Sequence, residues 1–106
     1  MSKKILLLGV LDSVLADAQQ QVERPGLEFF RGSSLEDVRT TLARTDIDHV
    51  IMGGGLALET RLGMVREILQ SSETTSVHMK DHASGSQGFL PFIRSVLRGL
   101  LDAEDE

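Results

Sequence analysis

Apolar residues in this chain arrive in short runs that alternate with segments of helical spacing. Ile5-Leu6-Leu7-Leu8-Gly9-Val10, introduced by Lys3-Lys4, is a continuous apolar run. Such a run predicts a strand buried on both faces. Leu11, Leu15, Ala18 and Val22 then fall at helical spacing, which predicts an amphipathic helix from Asp12 to Glu23, stopped by Arg24-Pro25-Gly26. Leu27 to Arg31 reads as a second strand. Ser33 with Glu36 fits a capping box opening a second helix, whose stripe is Leu35, Val38 and Leu42 and whose end is near Arg44. Ile47 to Met52 is a third strand, closed by Gly53, Gly54 and Gly55. Leu58, Leu62, Val65 and Leu69 repeat as one face of a third helix. After a loop from Ser71 to Thr74, Thr75 to Lys80 reads as a more polar fourth strand. Asp81 to Gly88 is a polar loop, and Phe89 to Leu101 is the last helix.

Strands alternating with helices predict a parallel sheet with right-handed crossovers. The expected strand order is 2-1-3-4, a three-layer α/β/α arrangement of flavodoxin-like or Rossmann-like type. The first strand is then central, which suits its apolar run. The fourth lies at an edge, which suits Ser76, His78 and Lys80. Helices one and four are expected on one face, helices two and three on the other.

Length and charge narrow the picture further. With 106 residues, 41% of them hydrophobic, the chain suits one domain, placed at residues 1–101, followed by an acidic tail at 102–106. Asp102, Glu104, Asp105 and Glu106 account for most of the formal charge of -5, so the body is close to neutral. A neutral body without Trp or Tyr, and without a basic stripe, argues against nucleic acid as a partner. No apolar run is long enough to span a bilayer, and the apolar stretch after the basic Met1-Ser2-Lys3-Lys4 start is too short for a signal peptide. A cytoplasmic location is therefore expected, with no membrane partner. The chain has no Cys, which removes disulfides, thiolate metal sites and Cys nucleophiles.

The order and lengths of these elements resemble a response-regulator receiver domain. Asp48-His49-Val50-Ile51-Met52-Gly53 resembles the receiver's third strand, which ends in the phosphorylated Asp. Thr75 to Asp81 resembles its fourth strand, which ends in Thr or Ser. The departures bear on chemistry. Gly53 stands at the phospho-acceptor position, Gly9 and Val10 stand where the Mg²⁺-binding acidic pair belongs, and Lys80 replaces the hydroxyl residue. Without clustered carboxylates a hard cation has no oxygen cage, so no metal and no cofactor is expected. The resemblance implies a degenerate, non-catalytic interaction module without phosphotransfer. Phosphotransferase-system IIB domains, also built on four parallel strands, phosphorylate a Cys just after the first strand. Here Val10 to Ser13 occupy that place.

In open parallel sheets ligands bind beyond the carboxyl ends of the strands, where the strand order reverses. The candidate ligand-binding residues there are Asp12 and Ser13 after strand one and Gly53, Gly54 and Gly55 after strand three. Lys80, His82 and Ser84 follow strand four, with Glu59, Asp81 and Ser86 close by. The glycines admit two readings. They form an anion nest at a helix N-terminus, or they form a permissive turn. No G-x-G-x-x-G or Walker pattern supports the first, and Glu59 would repel a phosphate. Lys80-Asp81-His82 contains an acid and a base, yet a polar loop needs a pocket before it means catalysis. Scattered His49, His78 and His82 make no zinc pattern.

The last helix is apolar over an unusually wide arc. Phe89, Ile93, Val96 and Leu100 make one stripe, widened by Leu90, Phe92, Leu97 and Leu101. Surplus apolar width implies a partner, so Phe89, Phe92, Ile93, Val96, Leu97 and Leu100 are the expected interface of a homodimer or of a protein partner. Two functions are thus in view. One is a non-catalytic, self-associating receiver-like module. The other is a small-ligand (anion or phosphate) binding protein or enzyme using the loops after strands one, three and four.

Overall fold

A computed structural model describes residues 2–83 and 85–104. The elements are β1 (Lys3–Leu8), α1 (Asp12–Val22), β2 (Leu27–Gly32), α2 (Leu35–Arg44), β3 (His49–Met52), α3 (Leu58–Ser71), β4 (Ser76–Met79) and α4 (Phe89–Glu104). A single 3₁₀ turn, Ser86–Gly88, leads into α4. The four strands form one all-parallel sheet in the order β2-β1-β3-β4, as the pattern predicts. Leu8, at the carboxyl end of β1, is in register with Gly32 on one side and Met52 on the other.

The central strand is apolar at successive positions because both of its faces are covered. Ile5, Leu7 and Ile51 pack against Leu15, Ala18 and Val22 of α1 and Phe89, Ile93 and Leu97 of α4. Leu6, Leu8, Val50 and Met52 pack against Val38 of α2 and Met64 and Ile68 of α3. Alternate residues thus feed alternate layers, as a period of two requires. The helix layers divide as the crossover rule expects. Among the described residues, no helix is long and apolar enough to cross a membrane.

Several local expectations are corrected. The buried face of α3 is Met64 and Ile68, with Val65 at its border, while Leu58, Leu62 and Leu69 are 56%, 47% and 56% exposed. Two apolar stripes run side by side on this helix, and the one with the stronger repeat faces solvent. The cap of α2 is Ser34, whose hydroxyl accepts the Asp37 N–H at 3.1 Å, rather than Ser33 with Glu36. Asp37 reaches back one residue further and accepts the Ser33 N–H at 2.9 Å. These bonds to the Ser33 amide, then to Ser34, hold the Asp37 carboxyl below its ordinary pKa.

β3 and β4 are shorter than expected, with Ile47, Asp48, Thr75 and Lys80 outside them, while β1 runs from Lys3 to Leu8 rather than from Ile5 to Val10. Thr75 lies outside β4, buried, and donates its hydroxyl to the Ile47 carbonyl at 2.6 Å. Helix α4 continues through Asp102 to Glu104, so the acidic segment begins inside the helix; Asp105 and Glu106 lie outside the described residues.

Candidate functional site

A cavity of about 200 Å³ opens at the carboxyl edge of the sheet, between the loops that follow β1, β3 and β4. This is the place where the strand order reverses. Gly9 and Val10 and the start of α1, with Leu11, Val14 and Leu15, form one wall. Gly53, Gly54 and Gly55 form the opposite side. Lys80, His82 and Gly85 from the loop after β4, together with Phe89 of α4, complete it.

The glycines act through close approach, since none of the three has a positive φ; the described glycines that do are Gly26 and Gly85. Gly53 extends the ladder by donating its N–H to the Leu8 carbonyl at 2.8 Å. A Cβ on Gly54 would sit 2.4 Å from the carbonyl oxygen of Asp81 and 3.1 Å from the Cα of His82. The β3–α3 loop therefore lies backbone to backbone on the β4–α4 loop. His82 Nδ1 donates to the Gly54 carbonyl at 2.8 Å and fastens that contact. Its Nδ1–H being engaged, the neutral ring leaves Nε2 as an acceptor. The N–H groups of Gly54 and Gly55 have no acceptor among the described residues.

Lys80 is the charged member of the lining. It is only 3% exposed, and its Nζ donates to the Asp81 carbonyl at 3.0 Å. Among the described residues no carboxylate pairs with it. One carbonyl engages one of the three donors of an ammonium. Burying such a charge without a counter-ion is costly. The fold places it by pairing Lys80 N–H with the Met52 carbonyl at 2.9 Å, which continues β4 alongside β3.

The start of α1 adds an apolar side. Leu11 is its N-cap and supplies no side-chain acceptor, so the Asp12 and Ser13 amides have no acceptor among the described residues, while the Val14 amide donates to the Leu11 carbonyl at 3.1 Å. Val10, Leu11 and Val14 are exposed despite their size. These residues were not among the expected site, because apolar positions beside a helix start read as core. The signal available was a Leu where a Ser, Thr, Asp or Asn would cap.

The expected site residues are thus partly assembled. Gly53, Gly54, Gly55, Lys80 and His82 line one cavity. Asp12 and Ser13 are exposed and outside the lining, and the Asp12 carboxylate lies 3.1 Å from the Arg31 guanidinium of β2. Ser84 lies outside the described residues. Of the expected interface, Phe89, Ile93 and Leu97 are buried in the core. Phe92 and Val96 pack partly against the same core, and Leu100 is half-buried. The width of the α4 stripe is explained by its contact with α1 as well as the sheet.

Among the described residues, no group of His, Cys, Asp or Glu is arranged to hold a metal ion. The chain matches no protein family, no curated protein and no solved structure.

Proposed function

We propose that this protein binds a small anionic ligand carrying an apolar body, in the cavity at the sheet's switch point. The observation that carries this reading is Lys80: a buried ammonium in a cavity wall, bonded to one carbonyl and paired with no carboxylate among the described residues. An anion there supplies the missing counter-charge. The open amides of Gly54 and Gly55 offer it further donors. The apolar body lies along Val10, Leu11, Val14 and Phe89. A volume of about 200 Å³ is below the roughly 300–1,000 Å³ of sites for drug-sized molecules, so the ligand is small.

The described lining holds no Ser, Thr, Asp or Glu, which favours binding over acyl or phosphoryl transfer. The same composition supports the receiver-like reading only in its degenerate form, with Gly53 at the end of β3 where a phospho-acceptor would stand.

Thermal melting with octanoate, hexyl phosphate and inorganic phosphate tests the reading. An amphipathic anion raises the melting temperature with the logarithm of its concentration once that exceeds the dissociation constant, and Lys80→Met abolishes the rise. No shift with any of the three at millimolar concentration overturns it.

A further inference from the structure

We infer that the open edge of β4 and the exposed leucine stripe of α3 together form a twofold interface with a second copy of this chain. Val77, Met79 and the exposed leucines of α3 are not among the residues lining the cavity, and the inference does not depend on the ligand.

Among the described residues no strand lies beyond β4. Ser76 N–H donates to the Asp48 carbonyl and Lys80 N–H to the Met52 carbonyl, so the even-numbered residues face β3. Val77 and Met79 therefore turn their N–H and C=O groups to the open side. Their side chains share the α3 face of the sheet. Val77 packs against the core there, and Met79 is exposed.

On α3, Glu67 reaches Arg39 of α2 at 2.5 Å, which fixes the side facing its neighbour helix. At 3.6 residues per turn, Leu58, Leu62 and Leu69 lie roughly opposite Glu67. They face past β4, in line with its open edge. Helix α3 crosses over between β3 and β4, and its Met64 and Ile68 share a cluster with Val50 and Val77. Joining two β4 edges antiparallel at the usual strand spacing of about 4.8 Å sets the two α3 axes roughly 10 Å apart. That is the separation at which helices pack.

The stripe is self-complementary, which argues for a second copy rather than another partner. A twofold axis passing between Gly63 and Met64 places Leu58 opposite the partner's Leu69, and Leu62 opposite the partner's Val65. Glu59 and Arg66 share the solvent-side flank of the stripe, and neither has an ion-pair partner among the described residues. The same axis brings Glu59 within one turn of the partner's Arg66, and Arg66 within one turn of the partner's Glu59. Two identical opposite-charge contacts then border the apolar seam, as an isologous interface requires.

Sedimentation velocity of the full chain across the micromolar range tests this. The expected result is a reversible dimer, with exchange of the Val77 and Met79 amides slowing as concentration rises. Leu62→Glu raises the dissociation constant at least about tenfold. Glu59→Arg weakens the dimer through like charges, and Glu59→Arg combined with Arg66→Glu restores it. The charge variants sit on exposed positions, so they decide the question even if Leu62→Glu perturbs folding. A monomer at high micromolar concentration overturns the inference. So does a dimer whose affinity ignores the charge exchange, or edge amides whose exchange is independent of concentration.

Discussion

Gly54 and Asp81 approach so closely that a methyl group on Gly54 would lie 2.4 Å from the Asp81 carbonyl oxygen. That oxygen also accepts the Lys80 ammonium at 3.0 Å, and the Gly54 carbonyl accepts His82 Nδ1 at 2.8 Å. The two loops therefore hold each other, and the buried charge, through one pair of backbone contacts. The middle glycine of the Gly53-Gly54-Gly55 run is required because a backbone stands against it, and no left-handed turn is involved.

Gly54→Ala accordingly forces the loops apart. The obstruction is backbone, which cannot swing aside as a side chain can. Overpacking of this kind costs about 1–3 kcal/mol, and urea denaturation reads it. Gly55→Ala is the matched control, since its Cβ would meet only the Val10 side chain, at 3.2 Å. Its cost is smaller, and the ratio of the two effects measures how far the loop contact matters. Equal losses would refute this role for Gly54.

Lys80 separates a structural from a ligand-directed charge. Replacing a buried ion by an apolar side chain of similar length is often neutral or stabilising. Lys80→Met is expected to melt no lower than the parent protein in the absence of ligand. Lys80→Ala, which leaves a void, loses stability. If Lys80 were held for its bond to Asp81, the Met variant would instead melt lower by the worth of that hydrogen bond. Paired melts of the three proteins without any anion distinguish these outcomes.

The contrast between α3 and the sheet shows what the sequence conveys and what it withholds. Strand order was legible because chain connectivity and crossover handedness leave few alternatives. The place of the crevice followed from that order. The face of α3 was not legible, because Leu58, Leu62 and Leu69 are as apolar as Met64 and Ile68, and periodicity alone cannot rank two adjacent stripes. Asp12 and Ser13 follow β1 as a site residue would, yet Asp12 pairs with Arg31 on β2, a contact between neighbouring elements that hydrophobic periodicity does not report. Of the apolar wall, Val10 belongs by pattern to the first strand's run and Leu11 to the first helix's stripe, so neither stands out as a site residue, for the same reason as α3. Hydrophobicity identifies surfaces that want cover without saying whether the cover is core, ligand or partner.

The start of α2 gives a test of local chemistry. Ser34→Ala removes the acceptor for the Asp37 amide, and cap removals cost about 0.5–2 kcal/mol. Ser33→Ala leaves the Ser33 N–H to Asp37 bond in place and is expected to cost less. Because Asp37 is held below its ordinary pKa by the Ser33 amide, its contribution is fully present above the unfolded value of about 3.9 and fades as pH falls through the folded value. Asp37→Asn is therefore expected to flatten the stability profile in the acid range below that value and nowhere above it. Guanidinium melts at closely spaced pH values in that range read the difference.

The second pH window lies nearer neutrality and belongs to His78. Its ring sits beside β3 with Nε2 3.0 Å from the Ser76 hydroxyl, which is itself 2.6 Å from His49 Nδ1. Desolvation on the sheet face lowers the His78 pKa. The unfolded chain, with an ordinary His near 6.5, therefore binds a proton more readily than the folded one. By linkage, stability rises with pH through this region and declines as pH falls below about 6.5, levelling off once the folded histidine is also charged. The Ser76 hydroxyl adds a structural reason, since His78 Nε2 can accept its proton only while that ring is neutral. His78→Gln removes the titrating group while keeping a side chain that bonds to Ser76. Its melting temperature is expected to vary less between neutral and mildly acidic pH than that of the parent, with the two proteins converging toward the acid end. A His78→Gln protein that retained the full slope would place the titration elsewhere and remove the sheet-edge histidine from the account of acid sensitivity.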